Sequence, residues 1–299
     1  MKIGVIMGGI SSEREISLKS GEQVIKSLNK DKYEKIIPII INSKEEVIEK
    51  VKGIDFAFIA LHGRFGEDGT IQGTLETMGI PYSGCGVLCS AISMNKGLTK
   101  RVVKSIGIET APWVTVKSME DINYKRIQKI GYPVFIKPNN GGSSVATFLI
   151  RNENEIENAV KESLKYDKEV MIEKYIDGEE ITSFILNGEV FPTVVIKANM
   201  GEFFDYKSKY KENGANEEVR FLDEELQKSI NKISKSIWDI LGCKSYARID
   251  MIVSNNIPYF LEINTLPGMT KASLIPKSAK ARGYNFSELL DMIIEYSLT

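Results

Sequence analysis

The stretch ARIDMIVSNNIPYFLEINTLPGMTKASL, Ala247 to Leu274, decides how the rest of the chain is read. Two apolar runs that alternate like strands flank the turn-forming Ser254-Asn255-Asn256, which predicts a β-hairpin. Strand side chains alternate between faces, so Arg248 shares a face with Asp250, and Glu262 with Asn264. The pairing register decides whether those faces coincide. A three-residue loop at Ser254 to Asn256 sets Arg248 opposite Glu262 and gathers all four polar side chains. A two-residue loop at Asn255-Asn256 sends the two pairs to opposite faces. We expect the three-residue loop. Two carboxylates and an amide oxygen on one face suit a hard cation such as Mg2+, which keeps some waters and takes its other ligands from nucleotide phosphates. Buried without a cation, such a cluster is costly. The alternative is an exposed hairpin with a charged outer face. Leu266-Pro267-Gly268-Met269-Thr270 shifts the balance toward a site, because it ends the strand in a Pro-Gly turn whose backbone donors can hold an anion beside the metal.

Upstream of the hairpin, Glu224 to Leu241 reads as an amphipathic helix, and downstream Ser287 to Leu298 reads as a closing one. Residues 199–216, NMGEFFDYKSKYKENGAN, are rich in Gly, Asn and Lys with interleaved aromatics. They read as a loop that folds over a site and brings Lys209 and Tyr210 to it. Val170 to Thr182 reads as strand, turn, strand. The backbone of Lys174 and Ile176 can meet a base there, and Glu173 and Glu180 can meet amino or ribose hydroxyl groups. Tyr132 to Val145 presents Lys137 on a strand, followed by a loop of small residues whose N–H groups can surround phosphate oxygens. It is not a Walker A loop, since G-x-x-x-x-G-K-[ST] is absent. A helix from Lys96 to about Ile106 precedes this middle section.

The amino-terminal part reads as βαβαβ: a strand to Met7, a helix to about Leu28 with Ile16, Val24, Ile25 and Leu28 inward, a strand Lys35 to Ile41, a helix Glu45 to Lys52 and a strand Asp55 to Leu61. Ser11, Ser12 and Ser17 are candidate helix caps. GGISSE lacks the G-x-G-x-x-G spacing, so a nicotinamide cofactor is disfavoured. His62, the single histidine, follows the third strand at the carboxyl end where ligands bind in such sheets. Gly63, Gly66 and Gly69 make the loop after it irregular.

At 299 residues the chain is long enough for two or three domains. Its 39 Lys plus Arg against 40 Asp plus Glu leave no bulk field for nucleic acid or an anionic membrane. No apolar run approaches the roughly 20 residues of a membrane span. The run Ile3 to Met7 is too short for a secretory signal. Cys85, Cys89 and Cys243 lack the paired spacing of a zinc site and read as small buried residues with unpaired thiols, which fits a cytoplasmic protein.

Six motifs, in order, resemble the D-alanine-D-alanine ligases of the ATP-grasp superfamily over essentially the whole chain. They are GGISSEREISLKSG at 8–21, LHGRFGEDGTIQG at 61–73, KPNNGGSSV at 137–145, EKYIDGEE at 173–180, FFDYKSKY at 203–210, and ARID with LEINTLPGMTKASLIP. The resemblance implies an α/β, three-domain ATP-grasp fold with an amino-terminal parallel-sheet (pre-ATP-grasp, Rossmann-like) domain. The expected domains are 1–93 for substrate, 94–178 for the central ATP-grasp unit, and 179–299 for the carboxyl-terminal unit with the metal site and the loop. It implies ATP contacts at Lys96, Lys137, Glu173, Lys174, Ile176, Glu180 and Lys209. Asp250, Glu262 and Asn264 are implied as ligands of two Mg2+ (or Mn2+) ions, with monovalent-cation activation left open.

By the same resemblance Glu13 receives the ammonium of a first D-alanine and His62 lies near its carboxylate. Gly268, Ser273 and Leu274 bind the second D-alanine. Arg248 and the Gly268 N–H serve the oxyanion, and Glu13, Ser143 and Tyr210 form a triad that ties the loop over the substrates. The implied reaction is attack of one D-alanine carboxylate on the γ-phosphate of ATP, then attack of a second D-alanine amine on the acyl phosphate, for peptidoglycan precursor synthesis. A homodimer is implied as well. The loop Tyr210 favours the dipeptide over D-alanyl-D-lactate. The departures are Ile10, where relatives often have a hydroxyl residue or Arg, Ala146, where Gly is usual, and Asn139-Asn140-Gly141. None removes a charged group.

Overall fold

The opening apolar run becomes the central strand of a parallel sheet in a computed structural model of the chain, which describes residues 1–142, 145–198, 215–220 and 222–299. β1 (Lys2–Gly8) lies between β2 (Lys35–Ile41) and β3 (Phe56–Ile59). All four residues of β3 and Ile3 to Gly8 of β1 are buried, as a parallel sheet covered by helices requires. The third strand is shorter than the expected 55–61. The helix expected at 45–52 is a single turn, α2 (Val47–Lys50).

The inner face of α1 (Arg14–Ser27) differs from expectation. Ser17, Ser20, Gly21 and Val24 are buried, with Leu28 after them, while Ile16 and Ile25 are half-buried. Small residues let the helix sit close on β1: a Cβ on Gly21 would lie 2.7 Å from Met7 Cβ. Ser17 is a staple rather than a cap, since its Oγ accepts from Gly8 N (2.9 Å) and donates to Ala60 O (2.7 Å). Glu13 holds the N-cap position but its side chain does not cap the helix, and Ser11 Oγ instead accepts from Glu13 N at 3.1 Å.

α3 (Thr70–Thr77), α4 (Val87–Met94) and α5 (Lys96–Ser105) lead to a four-stranded antiparallel sheet. Its strands β4 (Trp113–Val116), β5 (Val134–Pro138), β6 (Phe148–Ile150) and β7 (Val170–Lys174) run in the order β4-β7-β5-β6. α6 (Tyr124–Ile130) and α7 (Ile156–Ser163) cover one face through Ile127, Ile156 and Val160.

A third, six-stranded sheet comprises β8 (Glu179–Leu186), β9 (Glu189–Val190), β10 (Val194–Ala198), β11 (Ala215–Val219), β12 (Tyr246–Ser254) and β13 (Ile257–Asn264). Its order is β11-β10-β8-β12-β13, with β9 on β8. α8 (Glu224–Leu241) matches the predicted helix residue for residue. Asp223 caps it, accepting from Glu225 N at 3.0 Å, and Gly242 ends it in the left-handed region at φ 62°. Ile230, Ile237 and Leu241 of α8 pack with Ile181, Ile185 and Ile249 of the sheet and with Cys89 and Val103 from α4 and α5.

α9 (Leu274–Ala281) and α10 (Phe286–Leu298) return the chain to the first sheet. Leu289, Leu290, Ile293 and Ile294 share a core with Ile3, Phe56, Phe184 and Tyr246, and Tyr33 donates to Asp291 Oδ1 at 2.6 Å. Among the described residues no helix is long and apolar enough to cross a membrane.

Candidate active site

The hairpin at 246–264 carries a correction to the sequence reading. Ser254 pairs with Ile257, so the loop is the two residues Asn255-Asn256, both left-handed at φ 50° and 62°. Arg248 nevertheless lies opposite Asn264, and Asp250 opposite Glu262. The polar faces still coincide, because the register shifts by one residue between Asp250 and Met251. A β-bulge supplies that shift. Phe260 and Ile263 point into the core, and the two residues between them, Leu261 and Glu262, both line a cavity.

Arg248 grips Asp250 with two nitrogens, Nε to Oδ1 at 2.9 Å and Nη2 to Oδ2 at 2.7 Å. Asn264 Nδ2 donates to Asp250 Oδ2 at 3.0 Å, and Thr182 Oγ1 donates to Oδ1. A carboxylate this buried needs such partners. Burial pushes the Arg248 guanidinium down, but Asp250, with Glu262 and Glu180, outweighs it and holds Arg248 above its ordinary value. The hairpin thus holds a fixed cation beside fixed carboxylates.

Lys96 opens α5 directly after Asn95, whose side chain caps that helix by accepting from Leu98 N at 2.8 Å. Its Nζ lies 2.8 Å from Glu262 Oε2 and donates to Gly141 O at 2.7 Å, joining the third sheet to the loop after β5. Burial pulls the Lys96 ammonium down, and the charge of Glu262 and its hydrogen bond raise it further than that, so Lys96 stays charged. Lys137 Nζ on β5 donates to Glu173 Oε2 at 2.5 Å, and the other Glu173 oxygen is taken by the fully buried Lys100. Burial pushes the Glu173 carboxyl up, but Lys100 and Lys137 together hold it at about 2.

These groups surround a cavity of about 930 Å³, lined by eight of the residues picked out from sequence: Glu13, Lys96, Lys137, Glu173, Lys174, Ile176, Glu180 and Glu262. The Lys174 side chain turns away to carbonyl groups, Tyr132 O at 2.8 Å and Gly131 O at 3.1 Å, so only its backbone is left to face a base. Asn264 lines an adjoining recess shared by Lys96 and Glu262. Ser273 is the N-cap of α9 and Leu274 its first residue; Ser273 Oγ accepts from Thr270 N at 3.1 Å. A side chain on Gly268 would place its Cβ 3.4 Å from that hydroxyl oxygen. The amide groups at this helix start suit a carboxylate.

His62 is buried with both ring nitrogens engaged, Nδ1 with Leu266 O and Nε2 with Ser20 Oγ, each at 3.0 Å. A carbonyl only accepts, so Nδ1 carries the proton and Nε2 accepts from the serine. Burial holds His62 below its ordinary value, against the pull of Glu13. Glu13 itself stands close to two glycines: a Cβ on Gly63 would lie 2.6 Å from Glu13 Oε2, and one on Gly142 3.3 Å. Ser143, Lys209 and Tyr210 lie outside the described residues.

Three groups escaped the sequence reading. Lys100 sits one turn after Lys96 on the same face of α5, a spacing that was visible. Glu67 accepts from Gly63 N at 3.1 Å and lines the recess; burial, then the charge of Glu13, pushes its carboxyl well above the usual range. Asp167 is buried and accepts from Asn140 N (2.6 Å), Asn140 Nδ2 (2.9 Å) and Arg64 Nη2 (2.9 Å), fastening the loop after β5 to the loop after β3. Ala146 has φ 51°, a left-handed conformation that glycine adopts most readily.

Known proteins resemble this chain in sequence and fold. The family model described as "D-ala D-ala ligase C-terminus" matches residues 102–295, and "D-ala D-ala ligase N-terminus" matches 2–50 and 42–85. A D-alanine-D-alanine ligase of Clostridium botulinum is 59% identical over 298 residues, spanning 100% of this chain and 99% of that protein. Two crystal structures of D-alanine-D-alanine ligase from Bacillus anthracis superpose over 100% of this chain and 97% of theirs. One has a TM-score of 0.92 at 50% identity, and the other, complexed with ATP, 0.89 at 46%.

Proposed function

The chain belongs to the D-alanine-D-alanine ligase family, and we propose that the cavity walled by Glu13, Lys96, Lys137 and Glu262 is where that family's reaction takes place. The enzyme uses ATP to join two D-alanines into D-alanyl-D-alanine through a D-alanyl phosphate, for peptidoglycan precursor synthesis. Its fold is the ATP-grasp fold with an amino-terminal parallel-sheet domain.

One observation carries the site. Four charged groups meet on one cavity, three of them brought by separate sheets: Glu13 after β1, Lys137 on β5, Glu262 on β13, and Lys96 of α5, which joins Glu262 to the loop after β5. Domain limits at 93/94 and 178/179 give each domain one of those sheets.

Glu262 and Asn264 line the recess beside the cavity, with Asp250 across from Glu262 on the adjacent strand; the three are hard oxygen donors, a set that fits Mg2+ or Mn2+. When bound, two such ions would neutralise charge on the transferring phosphate. Lys96 and Lys137 hold phosphate oxygens in the same region, with Lys209 from the 199–216 segment. Glu173 aims Lys137 through their hydrogen bond, while Lys174, Ile176 and Glu180 bind the base and ribose. This step is mainly positioning and charge neutralisation.

Glu13 takes the ammonium of the first D-alanine, with neutral His62 behind its carboxylate. The second D-alanine sets its carboxylate on the start of α9, at Ser273, Leu274 and Gly268. Arg248 and the Gly268 N–H stabilise the oxyanion as the amine attacks the acyl phosphate. The Arg248 charge is worth about 3 kcal/mol to that transition state, by the magnitude typical of oxyanion donors. Glu13, Ser143 and Tyr210 close the loop and exclude water, which would hydrolyse the acyl phosphate. A cytoplasmic homodimer, with monovalent-cation activation as a further variable, completes the reading.

Phosphate release from Mg-ATP with D-alanine, L-alanine, D-serine, or D-alanine plus D-lactate tests it, with products identified by mass. Release that requires D-alanine and yields the dipeptide is expected. Turnover with another acceptor alone would remove the assignment of the second-substrate residues.

A further inference from the structure

Away from this cavity, three thiols meet in the apolar core between α4, α8 and the third sheet. Cys85 precedes α4, Cys89 lies in its first turn and Cys243 follows the end of α8; they are 0%, 2% and 8% exposed. Their sulfurs lie within 4.8 Å of one another, with Cys89 Sγ 3.5 Å from Cys243 Sγ. Among the described residues this is the group of His, Cys, Asp or Glu side chains close enough to share an ion. We propose that Cys85, Cys89 and Cys243 form a site for one thiophilic divalent cation of the zinc class, separate from the hard-cation site at Asp250.

Free cysteine is a common core residue. What sets these apart is convergence, because the third sulfur comes from 154 residues away and completes a triangle. Metal–sulfur bonds of about 2.3 Å at tetrahedral angles put sulfurs roughly 3.8 Å apart, so this triangle closes on an ion with small side-chain rotations. Ser93 Oγ, one helical turn after Cys89 and 3.8 Å from its sulfur, is a side-chain oxygen placed for the fourth position.

Binding replaces three S–H protons by one ion: M2+ plus three thiols gives a tris-thiolate complex and three protons released to water, with no electron transfer. That leaves one net negative charge in the core, where a monovalent ion would leave two, so a divalent ion is favoured. Cys85 gives up its S–H contacts to Lys244 O and Tyr246 O, both at 3.6 Å. A disulfide between Cys89 and Cys243 would use two sulfurs and leave the position of Cys85 unexplained. The bound ion would pin the turn after α8 to α4, the helix that runs through Asn95 into Lys96.

The test is titration of the reduced full-length protein with Cd2+, followed by its sulfur-to-cadmium ultraviolet band, then competition by Zn2+ against a chromophoric chelator. We expect one ion per chain, a band of three-thiolate intensity, proton release, displacement by Zn2+ and none by excess Mg2+. Cys243→Ser should weaken binding by more than the roughly 10–100-fold that outer-shell losses cause, and leave D-alanine-dependent phosphate release unchanged. Absence of the band in the wild-type protein at one equivalent overturns the proposal whatever the variants do. So does equal binding by a Cys85→Ser, Cys89→Ser, Cys243→Ser variant.

Discussion

Replacing Glu173 by glutamine isolates the charge at the centre of the cavity wall. The swap keeps shape and volume but leaves Lys100 and Lys137 without their shared carboxylate, and Lys100 is 0% exposed. Holding Glu173 at about 2 instead of 4.5 corresponds to about 3 kcal/mol in favour of the charged, folded form. Breaking a buried pair usually costs about 3–5 kcal/mol, because the remaining charge stays desolvated. Burial, offset in part by Glu173, pushes Lys100 down, and repulsion from Lys137 adds to it, so shedding its proton is the variant's way to limit the loss. Because the folded-state value is depressed, the stabilisation is present above pH 4.5 and disappears as the pH falls toward 2. Trp113 reports this locally, since it pairs with Glu173 across β4 and β7 and Lys100 sits 5.2 Å from its ring centre. Urea unfolding followed by Trp113 fluorescence, in a Trp238→Phe background, should show a loss of about 3–5 kcal/mol at pH 7. The variant should also lack the wild-type decline between pH 4.5 and 2. A loss under about 1 kcal/mol, the scale of an exposed pair, or an unchanged acid decline, would refute the reasoning.

Arg248→Lys removes the two-nitrogen grip on Asp250 and should lower kcat by about 100- to 1000-fold while ATP binding, measured by calorimetry, persists. Glu262→Gln deletes the main group that keeps Lys96 charged against burial, together with one proposed metal donor. The Mg2+ concentration for half-maximal rate should rise by at least the roughly 10–100-fold of a lost supporting group. His62 is held below 6.5 by burial, so the unfolded chain takes up its proton first as the pH falls and the wild type loses stability below pH 6.5. That loss should reach at most about 1.4 kcal/mol per pH unit, and His62→Gln should remove it in urea midpoints compared between pH 7 and 5.

Local pattern made much of this fold legible. The parallel opening, the helix at 224–241 and the strand carrying Lys137 each follow from periodicity and caps within one segment. Pairing across segments did not. Lys100 was not picked out because its burial depends on Glu173, 73 positions away. Asp167 was not picked out because its partners Asn140 and Arg64 lie 27 and 103 positions away. The cysteine triangle was hidden for the same reason, its third member being remote. The inner face of α1 failed differently: the pattern pointed to its large apolar residues, but close packing on Met7 selects Gly21 and the serines.

The hairpin shows how the polar residues can share a face although the register differs from the expected one. Two asparagines tolerate the left-handed conformation that a two-residue turn demands, so turn chemistry alone argues against the longer loop. Strict alternation from that turn would bury Glu262 and Asn264 in the apolar core against Ile237 and Ile249, at the price of two desolvated polar groups. One extra residue in β13 removes the conflict. The sign was in the sequence, where Phe260-Leu261 breaks alternation just before Glu262. The bulge is therefore not incidental to the chemistry: it turns Glu262 toward Lys96 and sets it across from Asp250, and it also puts Leu261 on the cavity wall. Register in this hairpin is fixed by the need to keep charge out of the core, and the shared polar face of Arg248, Asp250, Glu262 and Asn264 is the outcome of that constraint.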